Sequence, residues 1–501
     1  MVGPHRKWAL CLEQSSMSVK WIDATLRLRR SQTRLPFRYG TACLTWCPQA
    51  ILQVRAEVNG KPTTGFSGDC LPPSWFDKSP HKDYPQQIRE MIESIEAAIN
   101  RFGDRLSHPT SLFDAWWDIQ HTAHQEDQAR GWPGLLSSFG ISLVERALTD
   151  AIARAHQLSY FEVLTQNLLH VDPSRFDPNL NELQPRDWMP NSPTTSIHVR
   201  HTVGLIDPLT EYDLAAAGRV HDGLPETLED YLRHAGVRYL KIKVCNELDR
   251  DVERLTTIAG LLTKHRGIDY RVTLDGNEQY QKPESFDALI EIIKSRTELQ
   301  QLWKNTLLIE QPLPRQIALT REQTNGIRKL AAEKPVIIDE SDECLESYHS
   351  AIEVGYRGVS SKSCKSPLRS ILNAGLTWQL NRQLPKERRY IMTGEDLCCV
   401  GVVPVQSDLC LVAALGLNHV ERNGHHYHRG LSYLPAAQQR DALQQHPDLY
   451  EQHDEMVCPA LREGRFDIHS LQCVGFGFSV IPDIDEMSPP NDFPIDPTTE
   501  T

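Results

Sequence analysis

The sequence predicts an α/β protein, a (β/α)8-type barrel preceded by an N-terminal α+β capping domain. Three observations predict it. From about residue 196 onward, eight short apolar runs alternate with amphipathic helical stretches, the pattern of a parallel barrel. Before that, residues 18 to 68 alternate apolar and polar side chains as a half-buried antiparallel sheet does, and residues 85 to 170 carry helical periodicity. The third is size: 501 residues accommodate one barrel of ~250 residues together with an accessory domain.

In chain order, residues 1 to 17 read as an N-terminal extension, with Met17 an alternative start. The capping domain spans 18–195. Its strands are carried by WIDATLRLRR and ILQVRAEV, a Pro-rich loop follows (CLPPSWFDKSP), and its clearest helix is GISLVERALTDAIARAHQL, where Ile141, Val144, Leu148 and Ile152 recur at helical spacing. The barrel spans 196–435, with strands expected in IHVRHTVGL, YLKIKV, YRVTLDGN, TLLIEQPL, PVIIDES, GVSSKS, RYIMTGED and NHVER. An open doubly wound sheet is the structural alternative. Residues 436–480 form a C-terminal segment returning to the cap, and residues 481–501, acidic and Pro-rich, read as a disordered tail.

Composition excludes several classes of function. The 53 Lys+Arg against 66 Asp+Glu give a net charge of −13, which argues against nucleic acid or an acidic membrane as partner. No apolar run approaches the ~18 residues needed to span a bilayer and no signal peptide is evident, so a cytoplasmic location is expected. The 12 cysteines form no zinc-ligand spacing and are expected to be reduced.

In a barrel the active site lies at the C-terminal ends of the strands, and here ionisable residues recur there: Lys241 and Lys243, Asp275, Glu310, Asp339, Lys362, Glu395 and Glu421. Three successive carboxylates, Asp275, Glu310 and Asp339, would repel one another in a shared mouth unless a hard cation sat between them. An all-oxygen donor set suits Mg²⁺, with Mn²⁺ an alternative. Lys241 and Lys243, at i and i+2 of one strand, both project into the barrel, where mutual repulsion would lower one toward working pH as a general base. Lys362 approaches from a strand across the barrel. The plainer reading makes the lysines counterions of the carboxylates.

Taken together, KIK, LDGNE, IEQP, IIDES and GVSSK resemble the enolase superfamily, in particular the mandelate racemase/muconate lactonizing enzyme family and its muconate lactonizing enzyme-like subgroup. The resemblance covers roughly residues 18 to 435. It makes LPFRYG and GFSGDCLPPSWFDK substrate-covering loops, and it implies Mg²⁺ on Asp275, Glu310 and Asp339 with acid/base lysines at Lys243 and Lys362, assisted by Lys241. The chemistry implied is abstraction of a proton α to the carboxylate of a small molecule to give a metal-stabilised enediolate, as in a racemase or epimerase, a cycloisomerase or a syn-eliminating lyase. Substrate-binding roles fall to Glu395, Glu421 and Asn423. The last two stand where relatives acting on dipeptides carry two aspartates.

There are departures. SKSCKSP stands where the family often has a Gly-rich stretch, so Lys365 competes with Lys362 for the catalytic assignment, although the strand-end position favours Lys362. An acid-sugar dehydratase of the same superfamily would want a His-Asp pair on the seventh and sixth strands, which GED and Lys362 do not supply. A noncatalytic ligand-binding barrel is the reading from another class. The histidines of HVERNGHHYHRG lack a metal-ligand spacing and read as substrate-side and structural, Trp75 and Phe76 as a substrate cap or a loop anchor, and a homo-oligomer is left open.

Overall fold

The structure, a computed structural model, describes residues 17–39, 42–214, 218–397 and 399–495. The N-terminal extension up to residue 16 lies outside the described residues. Capping begins with an antiparallel sheet in the order β1 (Val19–Tyr39), β2 (Ala42–Val58), β3 (Lys61–Cys70). The alternation read in β2 is realised: Leu52, Val54, Ala56 and Val58 are buried while Arg55 is exposed. Four helices follow: α1 (Tyr84–Arg105), α2 (Leu112–Ala129), α3 (Gly134–His156) and α4 (Tyr160–Thr165).

Helix α3 is buried along almost its whole length, because it packs against the sheet, α1 and α2, and a turn of the barrel. Two glycines permit this closeness. A Cβ on Gly65 of β3 would stand 2.1 Å from Ala147 O, and one on Gly140 of α3 would stand 2.1 Å from Ser94 O.

All eight expected barrel strands form: β4 (Ser196–Val203), β5 (Tyr239–Lys243), β6 (Arg271–Asp275), β7 (Thr306–Glu310), β8 (Val336–Ile337), β9 (Gly358–Ser361), β10 (Ile391–Gly394) and β11 (His419–Arg422). They are parallel in the order β8-β7-β6-β5-β4-β11-β10-β9, and the bridge between Ile338 and Val359 joins the two ends. The sheet is thus a closed ring and not an open doubly wound one. Outward residues such as Leu240, Ile242, Val272 and Leu274 bury against the helix layer and leave the alternate positions to the interior.

Beyond residue 435 come the helix Ala436–Gln445, the hairpin β12 (Tyr450–His453) and β13 (Met456–Pro459), and β14 (Arg465–Asp467), which pairs antiparallel with the start of β4. The tail departs from expectation. In its described part, residues 481–495, it is not disordered but runs along β1, where Leu28 and Ser488 exchange backbone hydrogen bonds of 2.8 and 3.0 Å, and residues 496–501 lie outside the described residues. β1 is the free edge of its sheet, and the buried Met487 and Phe493 anchor the segment, so an open ladder and two apolar side chains outweigh its polar composition.

Candidate active site at the barrel mouth

Strand register brings the candidate residues into one row. Lys243 stands opposite Asp275 and Asp275 opposite Glu310 on adjacent strands, while Asp339, Lys362 and Glu395 each follow the end of theirs. β5 and β9 lie four places apart in a ring of eight, so Lys243 and Lys362 come from opposite sides of the barrel.

At the centre is Lys241. Its Nζ lies 2.7 Å from Glu310 Oε1, 2.9 Å from Glu395 Oε2, and 3.0 Å from both Asp275 Oδ2 and Glu421 Oε2. Lys243 Nζ donates to Asp275 Oδ2 at 2.6 Å, and Lys362 Nζ to Asp339 Oδ2 at 2.7 Å. Glu395 also pairs with the Arg200 guanidinium. Glu421 accepts from Thr202 Oγ1 at 2.7 Å and from Asp396 N at 3.1 Å. All of these groups are buried.

These contacts correct one expectation and narrow another. The carboxylates do have neutralising partners in the chain, because Lys241, Lys243 and Lys362 reach them directly. Of the two strand lysines, Lys241 is not the one lowered toward neutrality. Burial pulls the Lys241 ammonium down, but Asp275, Glu310, Glu395 and Glu421 outweigh it and hold the group well above its ordinary value. For Lys362, Asp339 likewise overcomes burial. On the acid side, burial would raise Asp275, Asp339 and Glu421, but the lysines hold all three below the usual carboxylate range. Glu310 goes the other way: burial, then the charges of Asp275 and Glu395, push it well above the usual range despite Lys241.

A hard divalent cation was expected on Asp275, Glu310 and Asp339. Among the described residues no three His, Cys, Asp or Glu side chains are gathered as a metal ion would need them. The donor set is nevertheless all oxygen, and Glu310 Oε2 is buried with no hydrogen-bond partner beside carboxylates that already raise its proton affinity. Those residues fit such a cation by chemistry, while their side chains turn to the lysines.

Above the cluster, a cleft opens between the capping domain and the barrel. Phe37, Tyr39, Pro72 and Trp75 line it from the cap, within the two segments read as covering loops. The barrel contributes Lys241, Lys243 and Lys362, with Asn277, Asp339, Asp396, Leu397, Glu421 and Asn423. Trp75 lies over Lys362 Nζ, 4.3 Å from the ring centre, and Phe76 is buried behind it against Phe139. Lys365 does not line the cleft: its Nζ turns to Ser360 O, Ser360 Oγ and Asp342 Oδ2 at 2.9, 2.8 and 3.1 Å. Glu395, expected at the substrate, is walled off between Arg200 and Lys241, and its neighbour Asp396 reaches the cleft instead.

Asp396 accepts from Asn423 N at 2.8 Å and Cys399 N at 2.9 Å, and burial pushes its carboxyl up to about 6 despite Arg422 at 3.1 Å. Sequence reading missed Asp396, Asn277, Arg200 and Thr202. A signal existed for two of them, since Arg200 and Thr202 stand at i and i+2 of the first barrel strand and so share one face of it.

The histidines of the last-strand segment do not line this cleft. His425 Nε2 meets His201 Nδ1 at 3.0 Å, His426 Nδ1 meets Tyr231 OH at 3.1 Å, and His419 Nδ1 meets Arg200 Nη1 at 2.9 Å. Burial pushes all four imidazoles of the segment (His419, His425, His426 and His428) below their ordinary value.

No family model matches the sequence, and no curated protein matches it. Solved structures do. A mandelate racemase/muconate lactonizing protein from Herpetosiphon aurantiacus aligns over 92% of this chain and 99% of its own, at 14% identity and a TM-score of 0.57. A muconate lactonizing enzyme from Pseudomonas fluorescens, complexed with muconolactone, aligns over 93% and 97% at 16% identity and a TM-score of 0.54. A dipeptide epimerase from Enterococcus faecalis, complexed with Mg and the dipeptide L-Leu-L-Tyr, aligns over 92% and 99% at 13% identity and a TM-score of 0.56. With the three-stranded cap and the closed parallel barrel, the chain has the fold of the enolase-superfamily structures, that of mandelate racemase and muconate lactonizing proteins.

Proposed function

We propose that the chain is an enzyme that removes the α-proton of a small-molecule carboxylate, acting as a racemase or epimerase, a cycloisomerase or a syn-eliminating lyase, with Mg²⁺ or Mn²⁺ as cofactor. One observation carries this reading: Lys243 and Lys362 come from opposite strands of the ring and line the same cleft.

Each lysine can serve one face of a trigonal α-carbon. Held as an ammonium beside Asp339, Lys362 is set to donate a proton from Nζ. Lys243 accepts on the other face, and Asp275 at 2.6 Å stabilises the ammonium it becomes. The C–H bond breaks with its electron pair left on carbon, and the new C–H bond forms from the donor's proton. Phe37, Tyr39 and Trp75 cover the cleft and exclude water, which strengthens these charge interactions. Asp275, Glu310 and Asp339 would hold the cation, which when bound supplies Lewis-acid stabilisation of charge on the substrate carboxylate. Glu421, Asn423 and Asp396 offer polar contacts for the rest of the substrate.

A panel of small carboxylates incubated in D₂O, with Mg²⁺ and with chelator, tests the reading by loss of the α-proton NMR signal. Exchange is expected with Mg²⁺ only. Lys243→Ala and Lys362→Ala should each slow it by ~10²–10⁴-fold. In a racemase each loss falls on one enantiomer, and in a syn-eliminating lyase one variant suffers far more than the other. Full exchange in both variants would eliminate the lysine roles. A noncatalytic carboxylate-binding barrel is favoured by the closed set of ion pairs around Lys241, and it would give binding without exchange.

A further inference from the structure

The turn that carries Lys362 is held by a helix of the barrel and by the capping domain. Ser363, next to Lys362, gives its backbone N–H and hydroxyl to Asp408 Oδ1 at 2.9 and 2.8 Å, and its carbonyl accepts from Ser142 Oγ of α3. Three residues on, Ser366 takes φ +105°, a conformation that glycine adopts readily and side-chain-bearing residues avoid. Its hydroxyl donates to Glu145 Oε2 at 2.5 Å and accepts from Arg369 N at 3.2 Å. Glu145 Oε1 accepts from Leu368 N at 2.6 Å, so a capping-domain carboxylate spans the strained residue and the first turn of the helix Pro367–Asn381. Glu145 and Ser366 are fully buried, and burial pushes the Glu145 carboxyl up to about 7 despite these donors and the nearby Arg146 and Arg369.

A carboxylate this deep is costly, and an apolar side chain would fill the same space more cheaply. Both of its oxygens are spent on one turn, and that turn starts at Lys362. Nothing else in the mechanism uses it.

We propose that Glu145 is a positioning residue: reaching across from the capping domain, it fixes the strained turn at Ser366 and thereby sets where Lys362 Nζ stands in the cleft. Because this rests on Lys362 moving a proton, one arm of the experiment must not depend on turnover. Full-length Glu145→Ala, Glu145→Gln and the double variant Glu145→Ala/Ser366→Gly are compared with the parent chain in two measurements. One is the kinetics of α-proton exchange; the other is the rate at which formaldehyde and cyanoborohydride methylate Lys362 in the folded protein, read by peptide mass.

Glu145→Ala should lower kcat by about 10²-fold with little change in KM, as a slight misplacement of a catalytic group does, and should speed methylation of Lys362. Adding Ser366→Gly should restore most of kcat and slow methylation again, because glycine takes the turn conformation unaided. A merely structural role would not yield that rescue. If Glu145→Ala does not fold, Glu145→Gln, which keeps one acceptor oxygen, takes its place and should lie between parent and Ala. Equal methylation rates in the parent and every variant, or a double variant no better than Glu145→Ala in both measurements, would overturn the proposal. If the parent chain exchanges no carboxylate, the catalytic reading fails on its own, and the methylation rates still decide whether Glu145 positions Lys362.

Discussion

The barrel mouth and the histidine pocket beneath the His425–Tyr427 segment both bury ionisable groups, yet they settle into opposite charge states. At the mouth, four carboxylates within 3.0 Å of Lys241 Nζ outweigh the cost of burial, and the ammonium persists. In the pocket His201, His425 and His426 meet each other and Tyr231, the Asp207 carboxylate stands 4.0 Å from His426, and burial keeps the imidazoles neutral. What a buried group's charge depends on is therefore how many opposite charges the fold brings within contact, more than how far it lies from water. The mouth therefore keeps protons on its charged nitrogens, and the pocket keeps its imidazoles neutral.

The largest test of that contrast is Lys241→Met. It leaves Asp275, Glu310, Glu395 and Glu421 without their common cation, and uncompensated buried charge of this kind typically costs about 3–5 kcal/mol. Chemical denaturation of parent and variant at neutral pH measures it. A loss below about 1 kcal/mol would put the cluster on a par with exposed ion pairs and remove the basis for the comparison.

Much of the mouth could be read from sequence, because a strand's period of two fixes which residues face inward and βα spacing fixes where strands end. That is why Lys241, Lys243, Asp339 and Lys362 were found. What the period cannot give is which inward groups meet. Lys241 reaches Glu310, Glu395 and Glu421, which are 69, 154 and 180 residues away, and only closure of the ring makes them neighbours. The same limit hid the exchange of Glu395 for Asp396, which depends on the backbone course just past β10, and the docking of Ser488 on Leu28, where apolar anchors are two residues in an acidic stretch. Glu145 was hidden for a related reason. In the helix pattern it is one polar position among many, and its partners lie some 220 residues further on.

The pocket side of the contrast is tested by acid. His201 is pushed down to about 3 by burial, from an ordinary value of 6.5. A folded-state pKa depressed in this way means that the unfolded chain takes up a proton first as pH falls, so the stability His201 contributes is fully present above about 6.5 and is lost progressively as pH falls toward 3. Between pH 6.5 and pH 5 that is about 1.5 units, or about 2 kcal/mol. His201→Gln should remove this part of the acid sensitivity. Unfolding free energies at pH 7 and pH 5 give the difference, and identical pH dependence in parent and variant would mean that the imidazole is not held neutral.

The finest comparison deletes one buried hydroxyl from each region. Thr202 Oγ1 donates to the Glu421 carboxylate at 2.7 Å, whereas Tyr231 OH pairs with the neutral His426 Nδ1 at 3.1 Å and lies 3.4 Å from His425 O. Thr202→Val and Tyr231→Phe keep shape and burial and remove only the polar contact. A hydrogen bond to a charged acceptor is typically worth about 1.5–3 kcal/mol and one between neutral partners about 0.5–1.5 kcal/mol. Thr202→Val should therefore cost more stability at neutral pH, and the gap should narrow in acid as Glu421 loses its charge, whose low proton affinity the Thr202 hydroxyl helps to maintain against burial. Tyr231→Phe has no carboxylate partner to protonate and should not show this dependence. Equal losses at neutral pH, or a Thr202→Val penalty that does not fall with pH, would mean that the mouth's charges add nothing to the bonds they accept, and that the two regions differ only in which side chains fill them.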